Sequence, residues 1–264
     1  MILPAHRVEK PWGVDRLPAP FGGGEGARIG EIWFDDPETP SPLLVKFLFT
    51  AERRSVQVQP DDAAARARGH PHGESESWLV IWAEPGATLG IGSITPMDGA
   101  ALRQAAIDGS IVELMRWIPV AAGDYVHIPA GTVHAIGAGV HLVEVQQNID
   151  LTYRLYDYGR PRALHLDDGV AVADARPHKP AWFAHVAPGE SRALPTDGHF
   201  RLWHVAGQDG LSIIDGDGPL TLIPLSDGVA IAGEPLPMGA CARGMDMQTI
   251  AFMPDARALI ACEH

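Results

Sequence analysis

Apolar residues in this chain fall in short runs, rich in Val, Ile, Leu and aromatic side chains, that glycine and proline cut at close intervals. Runs of that length predict strands, and their rapid succession argues for an all-β body over repeated βαβ units. Strands are expected over 43–50, 55–58, 78–83, 88–91, 111–118, 125–128 and 140–146. Two helices interrupt them. The segment 61–68 is alanine-rich, follows Pro60 and carries acidic residues where a helix N-terminus favours them. The segment 98–107 reads as a second helix that stops near Gly109. A connector is expected over 181–191, and short strands resume from 200 to 264. There Asp215-Gly216-Asp217-Gly218 is a turn between runs at 211–214 and 220–223; it lacks the ligand spacing and terminal glutamate of a calcium loop.

Composition narrows the function classes. With 264 residues, 46% of them hydrophobic, the chain can bury a substantial core as one large unit or two smaller ones. The formal charge is 20 − 33 = −13, which disfavours a nucleic acid or an anionic membrane as partner and leaves small molecules as the better expectation. Cys241 and Cys262 lack the spacing of a metal motif and read as free thiols in a reducing compartment. Residues 1–7 contain no apolar signal core, and no apolar run reaches membrane-spanning length. A cytoplasmic protein is expected. The sequence carries no signal for oligomeric state.

The chemistry concentrates in the first two thirds. Gly123 to Ala135 closes one strand, turns on Pro129-Ala130-Gly131 and presents His134 on the next strand, an arrangement of small β-barrels that hold a metal. Gln57 and Gln59 stand at i and i+2 of a strand and so share a face. Glu76 precedes the apolar run at 78–81. Together Gln57, Gln59, Glu76 and His134 form a candidate set of oxygen and nitrogen ligands around one cavity. His70 and His72 lie among Gly and Pro and read as loop residues, and His127 alternates with Tyr125 and can face either way. Of the other histidines, His6, His165, His178, His185, His199, His204 and His264 have no partner visible in the sequence.

Several motifs in order, Lys10-Pro11-Trp12-Gly13, Pro42 to Leu48, the Gln57 strand, Pro129 to His134, Leu142 to Gln147 and Thr152 to Tyr158, resemble the type I mannose-6-phosphate isomerases of the cupin superfamily. The resemblance covers most of the chain. It implies two cupin-like (jelly-roll) β-barrels with a few short helices: an N-terminal barrel over 1–180 with the metal and sugar site, and a degenerate C-terminal barrel over 181–264. It further implies one divalent metal, zinc first, and interconversion of mannose 6-phosphate and fructose 6-phosphate through an enediolate. Glu144 and Arg154 are carried over as residues lining the sugar site, with Ser55 and Glu74 beside the substrate.

Two positions depart from the family pattern. Gln59 stands where a histidine ligand is usual, and Glu74 where a lysine is usual. An amide oxygen is a neutral, weak donor, so the set should hold zinc less tightly than one with two imidazoles, and Gln59 is either a ligand or a cavity-lining amide. A carboxylate at Glu74 reverses a charge beside a dianionic sugar phosphate; it either disfavours that substrate or serves as a base. Arg154 either stabilises the enediolate or holds the phosphate. Glu144 is the base, a positioning group or the ion-pair partner of Arg154. The rival function is a non-catalytic cupin that binds a sugar or sugar phosphate. A third, an iron oxidoreductase, normally needs two histidines and a carboxylate, of which only one histidine is in place.

Overall fold

The computed structural model describes residues 1–23, 26–216 and 218–263. Asp217, within the expected turn, and His264 lie outside the described residues. The order of the first barrel is β1 (Ala5–Val14), β2 (Ile29–Phe34), β3 (Leu43–Thr50), β4 (Val56–Val58), helix α1 (Asp62–Arg66), β5 (Glu76–Ala83) and β6 (Thr88–Ser93). Helices α2 (Gly99–Asp108) and α3 (Ile111–Leu114) follow, then β7 (Met115–Pro119), β8 (Asp124–Ile128), β9 (His134–Ile136), β10 (Val140–Gln147), β11 (Tyr153–Tyr156), α4 (Leu166–Val172) and β12 (Phe183–His185). A seven-stranded sheet, β1-β2-β3-β10-β5-β8-β12, faces a five-stranded one, β11-β4-β9-β6-β7, and every pairing is antiparallel.

The second barrel holds β13 (Arg192–Leu194), β14 (Phe200–Ala206), β15 (Leu220–Pro224), β16 (Val229–Ile231), β17 (Glu234–Leu236), β18 (Ala242–Met245), β19 (Ile250–Phe252) and β20 (Arg257–Glu263), in sheets ordered β13-β14-β20-β15-β18 and β17-β16-β19. An all-β, cupin-like architecture with few short helices is therefore the observed fold. Among the described residues no helix is long and apolar enough to cross a membrane.

The two barrels share a core. One apolar cluster joins Leu3, Phe47, Phe49, Leu79, Tyr125 and Val143 of the first barrel to Phe200, Leu202, Ile223 and Leu259 of the second. The chain also ties its beginning to its later part: Leu3 N–H donates to Cys241 O at 2.9 Å, and Arg243 N–H donates to Met1 O at 2.8 Å. Both cysteines are buried and free.

Three expectations are corrected. The run at 111–118 is not one strand: residues 111–114 form α3 and the strand begins at Met115. Ile111 and Met115, four apart, are both buried in one cluster, the spacing of a helical face. The run at 211–214 closes a 3₁₀ turn over Gln208–Ile213, because Leu211 and Ile214, three apart, both reach the core. The expected connector at 181–191 contains β12, whose Phe183 pairs with Val126, so the segment caps the open edge of β8. Strands β1, β2 and β11 were not expected. Alternating polar residues in β1 and β11, as in Ala5-His6-Arg7-Val8-Glu9-Lys10, hide the pattern of a half-exposed strand, and Gly30 and Glu31 interrupt the short, buried β2.

Candidate functional site

Register builds the site. On the smaller sheet Arg154 pairs with Gln57 and Gln57 with His134, so three chemically active side chains stand in one row across β11, β4 and β9. On the facing sheet Lys46 pairs with Glu144 and Glu144 with Trp78, while Gln146 pairs with Glu76. Both rows point into the barrel, and most of their members are buried.

His134 arrives on the turn foreseen from Pro129-Ala130-Gly131. Gly131 takes φ of +86°, which only glycine adopts without strain, and Thr132 N–H closes the turn on Pro129 O at 3.1 Å. The His134 Nδ1–H donates to Thr132 O at 2.9 Å, which leaves Nε2 as the lone-pair nitrogen facing the cluster. Burial pushes the imidazole down to about 3, so it is neutral. Around Nε2 lie the Gln57 amide at 3.1 Å and Glu76 Oε1 at 3.3 Å, and the Gln59 amide donates to Glu76 Oε2 at 3.1 Å. The structure thus brings all four candidate ligands together. Glu76 Oε1 is buried without a hydrogen-bond partner. Burial, with Glu144 and Glu74 nearby, raises the Glu76 carboxyl well above its ordinary value. Among the described residues no group of three or more His, Cys, Asp or Glu side chains is arranged to hold a metal. The donor set is half amide.

Beside this cluster lies a network that sequence reasoning missed. Lys46 Nζ contacts Glu144 Oε1 at 3.1 Å, Gln146 Oε1 at 2.5 Å and the face of Trp33 at 4.6 Å. Arg54 reaches Glu31 Oε1 at 3.4 Å and Glu144 Oε2 at 3.7 Å, Lys10 reaches Glu31 Oε2 at 3.0 Å, and Trp78 Nε1–H donates to Glu144 Oε2 at 2.9 Å. Burial alone would raise Glu144, but Lys46 and Arg54 outweigh it and hold the carboxyl at about 2. Glu144 is paired with these two cations and not with Arg154. The signal for Lys46 was available: it is the one charge in a strand buried along its whole length.

A polar cavity of about 160 Å³ opens onto the network, lined by Lys10, Arg54, Ser55, Gln57, Asp150 and Arg154, with Trp12, Glu31, Thr152 and Arg162 completing the wall. Ser55 Oγ–H donates to Gln57 Oε1 at 3.3 Å. Arg154 Nη1 donates to Ala163 O at 2.7 Å, and Arg162 is held by two bonds to buried Asp157, at 2.6 and 2.7 Å. Glu74 is absent from this wall: it accepts from Leu151 N–H at 2.8 Å and Gln146 Nε2 at 3.1 Å, and burial pushes it up to about 7. It pins the segment that leads from β10 to Asp150. His127 points out of the barrel to Ser77, and His72 bonds Gly73 O within its own loop. His178, His185 and His204 find partners that the sequence did not reveal, at His127 O, Asp124 and Glu190 O.

Two antiparallel barrels, the first holding a buried His–Glu–amide cluster and a cation-lined cavity that shares Gln57 with it, define a cupin-like protein. No protein-family model matches the chain. It is 34% identical over 216 residues to mannose-6-phosphate isomerase of Streptococcus mutans serotype c, a match covering 74% of this chain and 68% of that protein. It is 38% identical over 144 residues to mannose-6-phosphate isomerase ManA of Bacillus subtilis, covering 50% of this chain and 44% of the relative. The chain therefore spans between under half and about two thirds of these relatives.

In fold it is similar to the crystal structure of the mannose 6-phosphate isomerase from Bacillus subtilis, with a TM-score of 0.76, 22% identity and 98% of each chain covered. A variant of phosphomannose isomerase from Salmonella typhimurium aligns with a TM-score of 0.73 at 13% identity, over 99% of this chain and 98% of the other. The chain belongs to the mannose-6-phosphate isomerase family.

Proposed function

We propose that the chain is an aldose-ketose isomerase that interconverts mannose 6-phosphate and fructose 6-phosphate, with one divalent metal, zinc first, and a first barrel, residues 1–180 joined by β12, that carries the site beside a degenerate second one over the rest of 181–264. The observation that carries this reading is a cation-lined cavity whose wall includes Gln57, a member of the buried Gln57–Gln59–Glu76–His134 cluster. The donor set fits a cation, because Glu76 Oε1 is buried without a donor and His134 presents an unprotonated nitrogen beside it. When bound, the metal supplies Lewis acidity that stabilises the developing oxyanion of the enediolate.

The remaining work falls to side chains. Arg154 and Arg162, with Lys10, give the cavity the positive field and forked donors that a dianionic phosphate needs. Ser55 offers a hydroxyl at the same wall. Glu144, held at about 2, is a poor proton carrier near neutral pH; its role is to anchor Lys46 and Arg54. Isomerisation moves a proton between C2 and C1, and Asp150 is the cavity carboxylate outside the Lys46–Arg54 cluster, so we assign it that transfer. Two buried free thiols support a cytoplasmic setting.

The test is a coupled assay of mannose 6-phosphate conversion with zinc supplied, repeated after chelation. Turnover that chelation abolishes and zinc restores is expected. In the same assay Asp150→Asn should lower kcat about 100-fold or more, the range for a lost general acid-base group. A folded, metal-loaded protein without turnover would overturn the isomerase reading, and an undiminished kcat in Asp150→Asn would reassign the proton step.

A further inference from the structure

The outer face of β5 and β8 is unexpectedly polar. Ser77 on β5 and Ser75 just before it, and Tyr125 and His127 on β8, are buried although they point away from the metal-type cluster. What covers them is the segment before β14. Asp197 Oδ2 accepts from Ser75 Oγ at 2.7 Å, Asp197 Oδ1 stands 3.3 Å from His127 Nε2, and Tyr125 Oη–H donates to Pro195 O at 2.8 Å. His127 Nδ1 pairs with Ser77 Oγ at 2.9 Å. His199 is the other titratable group on Asp197, its Nε2 3.9 Å away.

Ser75 is the pivot. It lies between Glu74 and Glu76, its N–H donates to Gln147 Oε1 at 2.9 Å, and its Oγ accepts from Ala130 N–H at 3.1 Å. Ala130 is in the turn that delivers His134. One hydroxyl therefore touches both the strand that carries Glu76 and the turn that carries His134, and a single carboxylate from the second barrel fixes that hydroxyl.

We propose that Asp197 is a positioning residue for the metal site: through Ser75 Oγ it sets the spacing between Glu76 and His134 from outside the barrel. The physical basis is that ligands give up affinity when their supporting bonds are loose, and a charge-assisted bond is the strongest support available to a serine hydroxyl. The second barrel, which carries none of the four candidate ligands, thereby takes part in the site. The inference rests on the metal-site reading above.

The experiment titrates metal-free full-length protein with cobalt and reads the dissociation constant from the visible absorption of the bound ion, with no dependence on turnover. Asp197→Ala and Ser75→Ala should each weaken cobalt binding by about tenfold or more, the usual effect of losing an outer support. The double variant should lose little beyond either single one, because both remove the same bond. Ser77→Ala breaks the neighbouring link to His127 without touching Ser75; it should lower the melting temperature and leave cobalt affinity within about twofold of wild type, the scatter allowed to an independent site.

Cobalt affinity unchanged in Asp197→Ala, or lowered as much by Ser77→Ala as by Ser75→Ala, would overturn the inference while leaving the metal site standing. Wild-type protein that binds no cobalt would overturn the metal-site reading and this inference with it.

Discussion

Gln59 decides how strongly the cluster can hold a cation. Its amide is spent on Glu76 Oε2 at 3.1 Å, a bond that an imidazole lone pair would replace with a stronger donor. Gln59→His should therefore tighten zinc binding about tenfold or more, since zinc prefers imidazole to neutral amide oxygen. A competition titration with a chromophoric chelator measures this, and equal affinities would show that Gln59 lies outside the coordination shell. The four candidate ligands were legible because strand alternation and a glycine turn place them by local rules. Glu31, Arg54 and Lys10 were not: the partners of Arg54 are Glu31 and, ninety positions on, Glu144, and no local pattern encodes those pairings. Glu74 was legible as a departure, but its bond to Leu151 N–H depends on where the chain returns after β10.

Among elements, α2 illustrates how local chemistry survives inside a β protein. Asp98 accepts from Ala101 N–H at 2.8 Å and Gly109 ends the helix with φ of +83°, so both ends are capped as the sequence indicates. Leu102, Ala105 and Ala106 pack against the small sheet beneath the site. Asp98→Ala should cost about 1 kcal/mol, the usual worth of an N-cap, read as a shift in urea midpoint with kcat unaltered. The adjoining run at 111–118 misled because its apolar residues satisfy neither period for long; only Ile111 and Met115, facing one cluster, reveal the switch from helix to strand. Strands β1 and β2 were missed for a different reason. β1 sits at the rim of the large sheet, where one face meets solvent and charged residues are tolerated, and β2, buried between β1 and β3, is a short run broken by Gly30 and Glu31.

At the scale of the whole molecule, the apolar cluster that spans both barrels makes them one folding unit. Urea unfolding followed by tryptophan fluorescence and by circular dichroism should give coincident single transitions; two separated transitions would mean that the barrels stand independently. Acid should weaken that unit. Burial pushes His178 down to about 4, below its ordinary 6.5, while its Nε2–H donates to His127 O at 2.9 Å. The unfolded chain therefore binds the extra proton between pH 6.5 and 4, so stability falls as the pH drops through that window. The full effect is on the order of 3 kcal/mol, from 2.5 pH units at 1.36 kcal/mol each. His178→Gln should flatten the decline, measured as urea midpoints at successive pH values, and an unchanged slope would remove His178 as its source.

The link from Leu3 to Cys241 and from Arg243 to Met1 has a meaning in time as well as in space. Synthesis runs from the N-terminal to the C-terminal side, so residues 1–3 are made more than two hundred residues before Cys241 and Arg243, their hydrogen-bond partners. Until then the leading end has no hydrogen-bonded berth, and Leu3 lacks much of the apolar surface that will cover it. The berth of residues 1–3 thus waits for the second barrel, and a translation stalled short of residue 241 would leave those three residues unbonded while β1 still pairs with β2.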